Sequence, residues 1–295
     1  MLRLLTGIII ITAFAARLGA QAPPTQLFVF DLQANDTSVV LTNPRYLTAF
    51  NAEGYNNHPN WADNDALYAS IKTPEMAEPD VYLFDLNDNT RTRLTQTAAG
   101  EYSPKPRGQR GRFSAVRQEV NGQDTVLRLW EFPVDRSDNG QPVLSTTAGV
   151  GYYAWLNNVQ LALFMVGAPN ELVLASSNGD APRTLARSPG RTFQRLRNGN
   201  LVYVDKSVTP WQLVEQNLYR QEEAPITVAE VPEGTEDFVV LPDGSYLTGV
   251  GSKLYRLPTG ATQWRQVVDL TYYGLRDITR LSLSDRGRLA VVAEL

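Results

Sequence analysis

The chain has 295 residues, 27 basic and 31 acidic, with 43% apolar content, a single histidine and no cysteine. Without cysteine there are no disulfide staples, no thiolate metal sites and no lipid-bearing cysteine, so core burial must supply the stability. A net negative charge and the absence of any Lys/Arg run make nucleic acid and anionic membrane surfaces poor candidate partners.

Residues 1–20 combine a basic start at Arg3, an apolar run from Leu4 to Ala16 and a small-residue exit at Leu18-Gly19-Ala20. That pattern predicts a cleavable secretory signal with Gln21 as the mature N-terminus, and hence a periplasmic or secreted protein. The run is shorter than the roughly 20 residues a membrane-spanning helix needs, so stable membrane insertion is not expected. Removing Arg3 and Arg17 with the signal leaves 25 of the 27 basic residues against 31 acidic ones.

Residues 21–295 are expected to form one domain. Gln26 to Thr42 reads as two strands and resembles Asp80 to Thr95, with Asp31 at the phase of Asp85. From there a unit of apolar residue, tight turn and second apolar run recurs. Its leading residues are Trp61, Pro106, Trp155, Leu196, Leu241 and Leu283, at intervals of 45, 49, 41, 45 and 42. The turns Asp63-Asn64, Gln109 to Gly111, Asn157-Asn158, Asn198-Gly199, Pro242 to Gly244 and Arg286-Gly287 use residues that tolerate tight or left-handed backbone. Third strands are expected at Val81 to Leu86, Thr125 to Phe132, Glu171 to Ala175, Gln212 to Tyr219 and Lys253 to Leu257. Fourth strands follow at Arg91 to Gln96, Pro142 to Ser145, Arg183 to Ala186, Pro225 to Ala229 and Gln266 to Leu270.

Four short antiparallel strands per unit of 40 to 50 residues is the grammar of a β-propeller blade. The last repeat has only two strands, Thr279 to Leu283 and Arg288 to Glu294, and the N-terminal pair is positioned to complete it. The expectation is an all-β, six-bladed propeller whose final blade is closed by the N-terminal strands, which removes exposed sheet edges. A pair of β-sandwiches, the competing all-β reading, predicts neither a fixed four-strand unit nor complementary half-units at the two ends.

The segment from His58 to Thr97 resembles the TolB-type, WD-like repeat through Pro59, Trp61, Asp63, Leu67, Asp80, Tyr82, Asp85, Leu86, Leu94 and Thr95. The resemblance implies a six-bladed, usually periplasmic propeller that engages proteins or ligands at the mouth of its central channel. TolB itself carries an α/β domain ahead of its propeller, whereas the repeats here begin at about Gln26. A stand-alone relative is therefore expected.

Catalytic motifs are scarce. One histidine excludes sites needing two, and there is no G-x-S-x-G elbow; Ser252 in Gly249-Val250-Gly251-Ser252 reads as a turn. Asp63-Asn64-Asp65 and Asn87-Asp88-Asn89 carry oxygen ligands but lack the glycine and distal glutamate of a calcium loop. No catalytic residue, metal site or cofactor is expected.

The segments entering each blade place aromatics beside charges at one phase, which suits a recognition surface. The candidate binding residues are Tyr55, His58, Glu101, Tyr102, Tyr152, Tyr153, Arg191, Glu236, Tyr272, Tyr273 and Arg276, with Phe193 and Phe238 assigned to the core. The expected function is a monomeric, non-catalytic scaffold that binds a protein, peptide or glycan at the channel mouth. The alternative is a glycoside hydrolase or lactonase-like propeller using mouth carboxylates such as Glu53, Glu101, Glu236 and Asp237.

Overall fold

The structure, a computed structural model, describes residues 24–35, 38–108, 111–122, 124–179, 181–220 and 222–295. The expected signal segment, its cleavage point and the first two residues of the Gln109 to Gly111 turn lie outside the described residues. Among the described residues, six four-stranded antiparallel sheets make up the molecule. The chain is a six-bladed β-propeller.

Five blades are continuous in sequence, and their innermost strands are Tyr55–Trp61, Gly100–Pro106, Val150–Trp155, Pro189–Arg195 and Phe238–Val240. The sixth runs, from the outside inward, Val39–Tyr46, Gln26–Ala34, Arg288–Glu294 and Arg276–Leu283. Its middle pair joins the two chain ends, with Phe28 opposite Val291 and Gln26 opposite Ala293. Trp61 adds a seam across the closure, its indole N–H donating to the Ser282 carbonyl at 3.1 Å.

Why the strands read as continuous apolar runs is explained by the core. A propeller blade is covered on both faces, so both phases of the two-residue strand period are buried. In Gln26–Ala34, Leu27 and Val29 pack with Leu67, Ile71 and Phe84 of blade 1, whereas Phe28 and Phe30 pack with Val239, Leu247 and Leu254 of blade 5. The other inter-blade spaces are filled in the same way, for instance by Val116, Leu129, Leu161 and Leu163 between blades 2 and 3.

The expected strands are found with shifts of a few residues. Lys253–Leu257 and Arg288–Glu294 match, Gln212–Gln216 stops three residues short of Tyr219, and Gln141–Pro142 is only a two-residue strand. Fourth strands fray because their outer edge faces solvent, and their side chains are largely exposed.

One feature of the ring positions the functional site. Innermost strands in five of the six blades carry register shifts, between Asn57 and Asn60, Tyr102 and Lys105, Val150 and Tyr152, Pro189 and Phe193, and Arg276 and Arg280. A bulge bends its strand and re-aims side chains. Within two of them His58 and Ser103 adopt left-handed backbone, with φ of 55° and 53°. Non-glycine residues held there cost on the order of 1–3 kcal/mol and concentrate at functional sites.

Candidate ligand site in the central channel

The bulges gather a cluster at the end of the channel where the chain enters each blade. His58 is buried and met by three tyrosine rings, Tyr55, Tyr102 and Tyr152, at centroid distances of 6.1, 5.9 and 6.1 Å, each edge-on. The Tyr55 hydroxyl lies 3.4 Å from His58 Nδ1. Arg280 donates to the Tyr152 hydroxyl at 3.1 Å, and its guanidinium sits 5.1 Å from that ring's centroid.

Two carboxylates of blade 5 answer the cations. Asp237 accepts from the Leu281 N–H at 2.8 Å and from Thr192 Oγ1 at 2.9 Å, and it faces Arg280 at 3.7 Å and Arg191 at 3.9 Å. Glu236 accepts from Lys206 at 3.1 Å and from the Arg191 backbone N–H at 3.2 Å, with the Arg191 guanidinium at 3.8 Å. Lys105 donates to Asn60 Oδ1 at 3.0 Å. Burial first, then repulsion from Arg280, brings the Lys105 ammonium down to about 8, with Asp237 pulling the other way. Burial and the charges of Arg280, Arg191 and Lys105 hold the His58 imidazole well below its ordinary value, so it is neutral.

A cavity of about 690 Å³ lies beyond this cluster. It runs from His58, Ser103 and Tyr152 along the innermost strands to the hairpin residues Asp63-Asn64 and Ser284-Asp285, and Tyr55, Tyr102 and Arg276 do not line it. The wide part of the channel therefore lies toward the first hairpin turns, not toward the blade-entry loops that the sequence singles out. His58, Tyr152, Arg191 and Arg280 form its floor, and Tyr55 and Tyr102 pack behind His58. Trp61, Trp155 and Phe193 contribute to its wall.

Of the residues expected at the mouth, His58, Tyr152 and Arg191 reach this floor, Tyr55 and Tyr102 pack on His58 behind it, and Glu236 pairs with Arg191. Five are placed elsewhere. Tyr153 is buried with its hydroxyl against Ser114 Oγ at 2.9 Å, and its ring contributes to the cavity wall, 5.9 Å from Lys105 Nζ. Glu101 is fully buried in blade 2, accepting from Arg117 at 2.9 Å and Thr97 at 2.7 Å. Tyr272 and Tyr273 lie in a 3₁₀ turn, Thr271–Tyr273, that precedes the sixth blade's innermost strand. Tyr272 is 90% exposed, and Tyr273 packs edge-on against Phe30 at 5.2 Å. Arg276 is held by the Leu295 carbonyl. Phe193 and Phe238 are buried as assigned.

Sequence reading placed Asp237 among the mouth carboxylates but missed Ser103, Lys105, Lys206 and Arg280 as members of the same cluster. A signal for two of them exists: His58-Pro59-Asn60 and Ser103-Pro104-Lys105 occupy the same phase of successive repeats, so Ser103 and Lys105 align with His58 and Asn60. Arg280 lies on the innermost strand of the sixth blade and Lys206 directly follows the second strand of blade 4, positions with no shared motif. The candidate calcium segments are turns: Asp63 Oδ1 accepts from the N–H of Asp65 and Ala66, and Asp65 pairs with Arg288. Among the described residues no three His, Cys, Asp or Glu side chains are grouped to share a metal ion.

Fold and site together define a six-bladed propeller with a polar central channel. No family model and no curated protein matches the sequence. Solved structures do share the fold. TolB from Acinetobacter baumannii superposes with a TM-score of 0.58 at 13% identity, covering 91% of this chain and 64% of that one. A protein assigned as TolB from Agrobacterium tumefaciens gives 0.62 at 8% identity, covering 93% and 99%. Oligogalacturonate lyase from Vibrio parahaemolyticus gives 0.55 at 13% identity, covering 90% and 86%. The fold is thus TolB-like, and the chain spans just under two thirds of the Acinetobacter TolB. Both a TolB and a lyase are built on it, so the fold leaves the choice between binding and catalysis to the site.

Proposed function

We propose that this chain is an exported, monomeric, non-catalytic binding propeller that receives an extended acidic polypeptide segment in its central channel, entering from the side of the first hairpin turns. The observation that carries the reading is the channel floor. Three cations, Arg191, Lys206 and Arg280, pair with two carboxylates, and Lys105 stands beside them donating to Asn60. The pairing of Glu236 and Asp237 with these cations favours binding over general acid–base work, and Glu101, a third candidate for such work, is buried against Arg117 in blade 2.

A cavity of about 690 Å³ falls within the range of ligand pockets, and its aromatic walls suit a chain segment more than a single small ion. Each innermost strand pairs with one neighbour only, so its other edge offers backbone donors and acceptors toward the channel. Export is supported by the expected signal and by the TolB-like fold, and no helix among the described residues is long and apolar enough to cross a membrane.

The test is a photo-crosslinking side chain at Gln194, which lines the cavity, compared with one at the outward-facing Tyr272. The Gln194 probe is expected to give covalent adducts with a polypeptide in envelope extracts of the producing cells. Equal adducts from both positions, or none from Gln194, would overturn the reading.

A further inference from the structure

We propose that the floor of the channel is a carboxylate-binding subsite in which Ser103, Lys105, Arg191 and Arg280 receive one acidic group of the ligand; this deepens, and rests on, the reading that the ligand enters the channel.

The first observation is a buried donor without a partner. Ser103 is 4% exposed, lines the cavity, and its hydroxyl makes no hydrogen bond among the described residues. A buried hydroxyl left unpaired costs about 1–3 kcal/mol, so its retention calls for a ligand. Its backbone sits at φ 53° inside a bulge, an arrangement that presents the side chain to the channel and is itself strained for serine.

The second observation is unbalanced charge. Arg191, Lys206 and Arg280 share Glu236 and Asp237, which leaves one positive charge over. Lys105 adds another, since its ammonium donates to an amide oxygen and, among the described residues, makes no ion pair. The neutral His58 contributes none. Arg191 Nε is also without a hydrogen bond, standing 3.9 Å from Asp237 Oδ2. A lysine brought down to about 8 by burial and a neighbouring arginine is restored toward its ordinary value when an anion arrives, so binding and proton uptake are coupled.

The number of free donors sets the class of anion. One hydroxyl, one ammonium and one guanidinium N–H match the two oxygens of a carboxylate and are too few to satisfy the three terminal oxygens of a phosphate.

The experiment titrates the mature protein with acetate, N-acetylglutamate, galacturonate and inorganic phosphate at constant ionic strength, following the side-chain carbon resonances of its lysines. Acetate and N-acetylglutamate are expected to give a saturable shift confined to Lys105 and to raise its titration midpoint. Lys105→Met should weaken acetate more than tenfold. Ser103→Gly, which suits the left-handed backbone and removes the hydroxymethyl group, should weaken it severalfold with the fold intact. A non-saturating response, phosphate binding as tightly as acetate, or unchanged affinity in Ser103→Gly would overturn the subsite. Galacturonate binding far more tightly than N-acetylglutamate would uphold the subsite and overturn the polypeptide reading. Gln194 adducts that survive saturating acetate would do the reverse.

Discussion

Two buried titratable residues on neighbouring innermost strands pull the stability of this protein in opposite directions with pH. Burial pushes the Glu101 carboxyl up to about 7, against the hydrogen bond from Thr97 and the charge of Arg117. The folded chain then keeps a proton that the unfolded one releases from about 4.5 upward, so this group lowers stability as pH rises from about 4.5 to 7. His58 does the opposite. Its imidazole is held well below 6.5, so the unfolded chain gains protons that the folded one refuses, and stability falls as pH drops below 6.5. Each slope is at most about 1.4 kcal/mol per pH unit. Urea midpoints between pH 4.5 and 6.5 should therefore rise with pH in Glu101→Gln and fall with pH in His58→Asn, whose asparagine tolerates the left-handed backbone. The Glu101→Gln protein also loses the partner of Arg117, an offset that does not vary with pH. Identical pH profiles in the two variants would show that neither group is perturbed by the fold.

Within single elements, close packing between blades makes some small changes costly and some large ones free. Gly249, on strand Tyr246–Val250, faces Ile278 on Arg276–Leu283, and a β-carbon there would lie 2.4 Å from Ile278 Cγ2. Gly249→Ala is expected to destabilise by about 1–3 kcal/mol, because both strands are clamped in their own sheets and cannot separate. Adjacent tyrosines of one turn separate in the same way. Tyr273→Ala, which removes a ring packed on Phe30, should lower the melting temperature by several degrees, whereas Tyr272→Ala should leave it unchanged. Equal melting temperatures for the two would contradict the packing. The sequence places these tyrosines together with Tyr55 and Tyr102 as one ring of aromatics. Phase alone cannot separate them, since a 3₁₀ turn preceding the innermost strand puts Tyr272 and Tyr273 upstream of the bulges that build the floor.

Across the whole molecule, the ring depends on the pairing of Gln26–Ala34 with Arg288–Glu294. Deleting residues 21–46 should leave Arg288–Glu294 as an unpaired apolar edge and expose the faces of blades 1 and 5 that pack on it. Light scattering of the refolded truncation is expected to show aggregation; a monodisperse, cooperatively melting product would refute the closure.

The amino-acid sequence by itself determined the blade count, the four-strand unit and the joining of the two ends. These depend on local turn chemistry and on a strand period that repeats every 41 to 49 residues, both of which are written in contiguous stretches. What only the tertiary structure decided is which side chains meet in the channel and which end of it is wide. Lys105, Arg191, Asp237 and Arg280 belong to four blades, with bulges in the innermost strands of the three cations, while Glu101, one position from Tyr102, turns into the core. A two-residue strand period makes neighbours diverge, and a bulge shifts that period by one, so facing the channel is settled by pairing between strands rather than by order along the chain.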